Sequence, residues 1–353
     1  MQKIPIENLK QVEKILINCP SWIGDAVMAL PALQSVHQNM PHAQITLLVN
    51  SWISDLYKNL SFTHNIILYS PKGADRGIRG FVKAVRNIKQ QKFDVAILLQ
   101  NAFRPALLTW LSHIPHRWGY AADGRSLLLT KAIKVSAEDR QYHHVYYYLR
   151  LLEKLGLRTE KSAIRLKLTP EQKEKGKHLL LSKGYDLQKP TVGIHPGAAY
   201  GEAKRWLTDR FAQLAERLIS KNDVQVILFG APQELSLVTT IRSLMSTNPI
   251  VLVGETTLEE LMASMIWCDL FIANDSGPMH LAAALGIPLV ALFGPTNEKR
   301  TAPMGEEHII IKKHIHCSPC LHRTCPLDHQ CMTAITVDEV YNAAIKKLGI
   351  RQT

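Results

Sequence analysis

The sequence predicts an α/β protein made of two Rossmann-like domains facing a cleft. Three observations carry that expectation. Apolar strand-like runs alternate with helical patterns from end to end, the signature of parallel α/β architecture. The stretch CDLFIANDSGPMHLAAALGIPLVALFGP, from Cys268 to Pro295, holds a complete β-loop-α-β unit. A chain of 353 residues with 46% hydrophobic content can bury two ordinary cores.

In the first half, apolar runs place strands at 14–19, 44–50, 66–69 and 93–99. Helical patterns follow or separate them at 25–38, 53–59, 81–90 and 105–113. A long helical pattern at 143–155 stops at Gly156, a residue that ends helices readily. The mixed, charged stretch 158–168 then marks a change of domain, with 187–190 as a later alternative. We set the boundary at 175/176 and the second domain at 176–335. Its strands fall at 191–195, 225–230, 250–253, 270–273 and 289–293, and its helices at 209–219, 234–245, 258–267 and 279–285. An amphipathic helix at 337–348 closes the pattern.

Three strand-to-helix turns carry the candidate chemistry. The run 270–273 stops at Asn274-Asp275-Ser276-Gly277, and Pro278 sits where a helix begins, where its missing N–H costs nothing. In open α/β sheets ligands bind at the carboxyl ends of strands. Free N–H groups and the helix dipole there suit a phosphate or diphosphate. With Pro278 excluded, the donors are the backbones of Gly277, Met279 and His280. The first strand ends in Pro20-Ser21-Trp22-Ile23-Gly24-Asp25, and the strand at 191 in His195-Pro196-Gly197-Ala198-Ala199, with Lys204 and Trp206 just beyond. A carboxylate, a lysine and an anion-binding turn thus each follow a strand. The pattern points to transfer chemistry on a phosphorylated donor.

SWIGDAVMALPAL, HPGAAYGEAKRWL and NDSGPMHLAAALG, in that order, resemble the ADP-heptose:lipopolysaccharide heptosyltransferases of glycosyltransferase family 9 across nearly the whole chain. The segment CSPCLHRTCPLDHQCM is similar to the type II enzymes, which add the second heptose of the inner core. The resemblance implies a GT-B fold and an inverting transfer of L-glycero-D-manno-heptose from ADP-heptose onto the first heptose, with no cofactor required. It implies acceptor binding by the first domain, donor binding by the second, and a helix at 336–353 packing back on the first.

The same resemblance makes Asp25 the general base on the acceptor hydroxyl and Lys204 the cation beside the leaving ADP. Asp275, Ser276, Gly277, Met279 and His280 form the donor site, joined by Ala198 and Trp206. Each has a plainer reading: Asp25 as an early-helix carboxylate, Asp275 as an N-cap, Lys204 as a surface lysine with Arg205 as its substitute.

The net charge of +12 admits nucleic acid, an anionic membrane or an acidic substrate. No nucleic-acid recognition motif is present, so no nucleic-acid partner is expected. An anionic, lipid-anchored glycan acceptor accounts for the charge. Residues 72–92 hold seven basic side chains and one acidic, and Arg76 and Arg79 there, with Arg104 and Arg125, are the acceptor-side candidates. No apolar run approaches the roughly 18 residues of a membrane span, and the first residues lack the apolar core of a signal peptide. A cytoplasmic protein, peripheral at the inner membrane of a Gram-negative cell, is expected.

The cluster Cys317-x2-Cys320-x4-Cys325-x5-Cys331 admits a structural metal, a facultative disulfide or reduced thiols, and no metal is expected for catalysis. The rival readings are a heptosyltransferase I or III, a sugar-nucleotide epimerase, or a non-catalytic nucleotide or anionic-glycan binding module. A nicotinamide oxidoreductase is disfavoured, because no G-x-G-x-x-G follows the first strand.

Overall fold

The computed structural model describes residues 6–160 and 164–350. The chain divides into two compact units, Met1–Ile164 and Arg165–Thr353. The first contains strands β1 (Lys14–Asn18), β2 (Gln44–Val49), β3 (Asn65–Leu68), β4 (Val95–Leu98), β5 (His116–Tyr120) and β6 (Lys131–Ile133), in the order β3-β2-β1-β4-β5-β6. The second contains β7 (Thr191–His195), β8 (Gln225–Gly230), β9 (Ile250–Val253), β10 (Leu270–Asn274), β11 (Leu289–Phe293) and β12 (Ile309–Lys312), in the order β12-β11-β10-β7-β8-β9. Counted from β9, the second sheet repeats the order of the first, and every pairing is parallel. Both are the doubly wound order of a Rossmann fold, with strand order reversing between β1 and β4 and between β7 and β10.

Burial explains why these segments are strands. Ile15, Leu16 and Ile17 of β1, and all five residues of β7, β10 and β11, are buried, as strands covered by helices on both faces must be. The helices of the first unit are α1 (Ile23–Met28), α2 (Leu30–Asn39), α3 (Gly77–Gln91), α4 (Phe103–Leu111) and α5 (His144–Lys154). Those of the second include α6 (Pro170–Ser182), α7 (Thr208–Asn222), α8 (Leu235–Ser243), α9 (Leu258–Met265) and α10 (Gly277–Ala284). Capping boxes start α6, with Thr169 and Gln172, and α9, with Thr257 and Glu260.

The sequence reading needs three corrections. The single helix expected over 25–38 is α1 and α2, because Pro31 cannot donate the bond that would carry one helix through. Strands β5, β6 and β12 went unread: HRWGY carries polar residues, KAI is short, and IIIK lies beyond the expected last strand. The boundary at 175/176 falls inside α6, which packs on α9 and belongs wholly to the second unit. The helix Val337–Leu348 lays Val340, Tyr341, Ala344 and Ile345 into the core of its own unit, against α7. Tyr341 there donates to Asn222 Oδ1 at 2.6 Å and lies under the Arg217 guanidinium, 3.7 Å from the ring centre. Among the described residues, no helix is long and apolar enough to cross a membrane.

Candidate functional site

In the first unit, the chain leaves β1 through Cys19-Pro20-Ser21 and enters α1 with Asp25 in its first turn. Trp22, at the N-cap, gives no side-chain bond to the helix, so the Asp25 carboxylate is the negative group at its positive end. His144, the first residue of α5, brings Nδ1 to 3.3 Å from Asp25 Oδ1, and both side chains stay about a third exposed, at 30% and 31%. A carboxylate so placed can reach a ligand. The sequence reading missed His144, which lies 119 residues away and arrives only through the packing of α5 on α1 and α2.

At the reversal between β1 and β4, Asn18 and Ser21 of the segment that leads to Asp25, with Asn50, Tyr69, Gln100 and Arg104, help line a pocket of ≈170 Å³. Gln100 donates to Ser21 Oγ at 3.3 Å, and Arg104 Nε to the Tyr69 hydroxyl at 2.7 Å. The Arg104 guanidinium also lies over the Phe81 ring, 5.3 Å from its centre. Asn18 is buried, and its side-chain oxygen has no partner among the described residues. An orphaned buried acceptor in a polar pocket is expensive unless a ligand satisfies it.

The four arginines assigned to the acceptor part company. Arg104 lines the pocket. Arg76 and Arg79 are exposed, at the N-cap and in the first turn of α3. Arg125 is fully buried and spends its guanidinium on the carbonyls of Tyr120 and Gln100 and on Asn101 Oδ1. Burial lowers its pKa to about 10. It holds the loop after β4 and presents no charge to an acceptor, which corrects the sequence reading.

In the second unit the reversal lies between β7 and β10. Asn274, at the end of β10, accepts from Trp206 N at 3.0 Å and donates to Pro196 O at 2.8 Å, tying the turn after β7 to the segment carrying Lys204. Lys204 Nζ then lies 2.6 Å from Asp275 Oδ2 and 3.3 Å from the Asp275 carbonyl, with the two side chains 12% and 4% exposed. Ser276, not Asp275, is the N-cap of α10. Its hydroxyl makes no capping bond and instead lies 3.4 Å from His195 Nδ1, leaving the first-turn N–H groups to another acceptor.

His195 Nε2 lies 3.2 Å from Glu234 Oε2. Burial raises the Glu234 pKa, but the His195 bond and charge, the Ala231 N–H and nearby Arg205 outweigh it and hold the carboxyl below its ordinary value. Arg205 therefore serves the Glu234 side, whereas Lys204 meets Asp275. The glycine at 197 is dictated by this pair: a Cβ there would stand 1.6 Å from Glu234 Oε1. Gly197→Ala should cost about 1–3 kcal/mol by overpacking, read as a lower calorimetric Tm, and should cost much less in a Glu234→Ala background.

Three residues assigned to the donor contribute no side chain to this surface. The Trp206 ring is core, stacked edge-on against Phe211, with its N–H on Ile335 O at 3.0 Å. The Met279 and Ala198 side chains are buried as well. His280 lies almost wholly buried in the first turn of α10.

The cysteine segment does something the sequence did not suggest: it braces the Lys204 loop. Ala203 N donates to Arg323 O at 3.0 Å, the Tyr200 hydroxyl to Leu321 O at 2.8 Å, and His329 Nε2 lies 2.7 Å from Ala203 O. Cys317, Cys320, Cys325 and Cys331 are free thiols lining one small pocket with His329. Burial and the three neighbouring thiols push Cys331 up to about 11. Among the described residues, no group of three or more His, Cys, Asp or Glu side chains is placed to hold a metal ion.

Comparison with known proteins agrees with this fold. The profile of glycosyltransferase family 9 (heptosyltransferase) matches residues 81–330. Lipopolysaccharide heptosyltransferase 2 of Salmonella typhimurium is 31% identical over 310 residues, covering 85% of this chain and 88% of that protein. A glycosyl transferase family 9 structure from Veillonella parvula matches with a TM-score of 0.86 at 26% identity, covering 95% of this chain and 97% of that one. The ADP-heptose lipopolysaccharide heptosyltransferase II of Escherichia coli matches with a TM-score of 0.80 at 27% identity, covering 95% and 98%. The chain belongs to glycosyltransferase family 9, the heptosyltransferases.

Proposed function

We propose that this heptosyltransferase inverts configuration as it moves L-glycero-D-manno-heptose from ADP-heptose onto the first heptose of the lipopolysaccharide inner core. The observation that carries the reading is the Lys204–Asp275 pair beside the uncapped start of α10, where the second sheet reverses. The diphosphate of the donor meets Lys204 and the first-turn N–H groups of Gly277 and Met279, while Asp275 accepts from heptose hydroxyls. In the first unit the acceptor takes the pocket that the segment leading to Asp25 helps line. The acceptor oxygen attacks the anomeric carbon, Asp25 takes its proton, and the bond to ADP breaks with its electron pair on the β-phosphate oxygen. Lys204 faces that developing charge, so the reading invokes no metal. His144 positions the Asp25 carboxylate.

Arg76 and Arg79 stand at the positive end of α3, where cations are mildly unfavourable until an anion joins them. Removing both should cost about a kcal/mol per contact at this solvated site. Arg76→Ala/Arg79→Ala should raise the acceptor KM several-fold, make it less sensitive to salt, and leave ADP-heptose affinity alone. Separate titrations of donor and acceptor check this. An unchanged acceptor KM would reduce the run to a solvated helix face.

The rival with a distinct outcome is a binding module. It requires donor binding without turnover, and indifference to replacement of Asp25.

A further inference from the structure

The outer surface of the first unit combines cations and bare apolar groups in a way that neither the pocket nor Asp25 uses. α3 carries Arg79, Lys83, Arg86 and Lys89 and no acidic residue. Its inner face buries Ala84 and Ile88, which turns Arg79, Lys83 and Arg86 outward together with Ile78, 79% exposed, and Val82. α4 packs beside α3, with Ser112 Oγ bonded to Val85 O and Arg104 reaching Gly77 O. On α4 the exposed side chains are Phe103, Trp110 and Leu111, with no charge among them. Against α4 lies the 3-10 turn Arg125–Leu128, whose Leu127 is 95% exposed.

A Leu left this bare gains nothing from folding, and the turn that carries it packs against the helix that exposes Phe103 and Trp110. Lone apolar side chains on a surface need no explanation. Here they stand on elements packed one against the next, α3 among them with cations and no acid, and that combination is the chemistry of an interfacial membrane contact: aromatic and aliphatic groups enter the headgroup region while Lys and Arg pair with lipid phosphates.

We infer that α3, α4 and the turn at Leu127 form a face that docks on an anionic phospholipid bilayer. Charge complementarity selects the occupant, since a row of cations without a single acid opposes its own copy and fits an anionic surface. The inference deepens the reading of a lipid-anchored acceptor and rests on it. α4 links the two, because its first turn supplies Arg104 and Pro105 to the pocket while Phe103 and Trp110 face outward.

Sedimentation of the full chain with vesicles tests this without any acceptor present. The parent should bind phosphatidylglycerol/phosphatidylethanolamine vesicles well above phosphatidylcholine ones, and less as salt rises. Lys83→Glu/Arg86→Glu should lower partitioning roughly tenfold or more. Trp110→Ser/Leu127→Ser should lower it by a similar factor. Both variants should transfer heptose to a soluble, deacylated acceptor at the parental rate, which also shows that they fold. Equal partitioning of parent and variants would overturn the inference. So would a dimer, seen without lipid, that Trp110→Ser/Leu127→Ser dissociates, since a second copy would then cover the face. Vesicle binding that the variants lose, with no turnover on any core acceptor, would uphold the face and sink the acceptor reading.

Discussion

Asp25→Asn should lose about 10²–10⁴-fold in turnover, the range for removing a positioned general base, while ADP-heptose affinity stays close to parental. The amide keeps the shape of the carboxylate and its contact with His144 but cannot take the acceptor proton. Asp25 belongs to the unit that does not carry Lys204 and Asp275, so the donor contacts survive the change. Single-turnover kinetics beside donor titration reads both quantities. Near-parental turnover in a folded variant would remove Asp25 from the chemistry.

Lys204→Ala should have the second largest effect, and on three observables at once. Transfer should fall by about 10²–10³-fold, the usual cost of one lost group that stabilises transition-state charge. ADP binding should weaken too, because the ammonium meets the diphosphate before and during reaction. The folded state should also suffer. Asp275 is nearly buried, and deleting one member of a buried pair typically costs about 3–5 kcal/mol by stranding the other charge. In Lys204→Ala the stranded carboxylate also faces the incoming phosphates. The double variant Lys204→Ala/Asp275→Asn should therefore regain part of both Tm and ADP affinity relative to the single variant, a coupling that a double-mutant cycle measures. If Lys204→Ala binds ADP like the parent, another group neutralises the diphosphate.

The sequence exposed what is local. The β10-turn-α10-β11 unit is legible because an apolar strand, a polar Gly-Pro turn and a small-residue helix follow one another without interruption. Asp25, Lys204 and Asp275 are legible as candidates because each follows the carboxyl end of a strand, in the turn, loop or first helical turn that comes next. What depends on distant packing was hidden. His144 reaches Asp25, and Glu234 reaches His195, only after folding. Trp206 stands close to the turn in sequence, yet an aromatic side chain beside a site is as readily core, and its ring is buried. Arg125 shows the same limit for charge. Sequence counts a cation wherever it stands, whereas this one is consumed by backbone carbonyls after β4. Strands β5 and β6 escaped because polar or short segments become strands only once a neighbour pairs with them.

The most direct test of the central claim is incubation of the purified chain with ADP-heptose and a panel of truncated core acceptors, read by mass spectrometry. The proposed function requires a mass increase of one heptose on the acceptor that already carries the first heptose, with ADP released in equal amount. It also requires no product from ADP-heptose alone. Addition to the heptose-free core would make the chain a type I enzyme, addition only to longer cores a type III enzyme, and a changed donor without acceptor an epimerase. Binding of ADP-heptose with no product on any acceptor would contradict the account altogether.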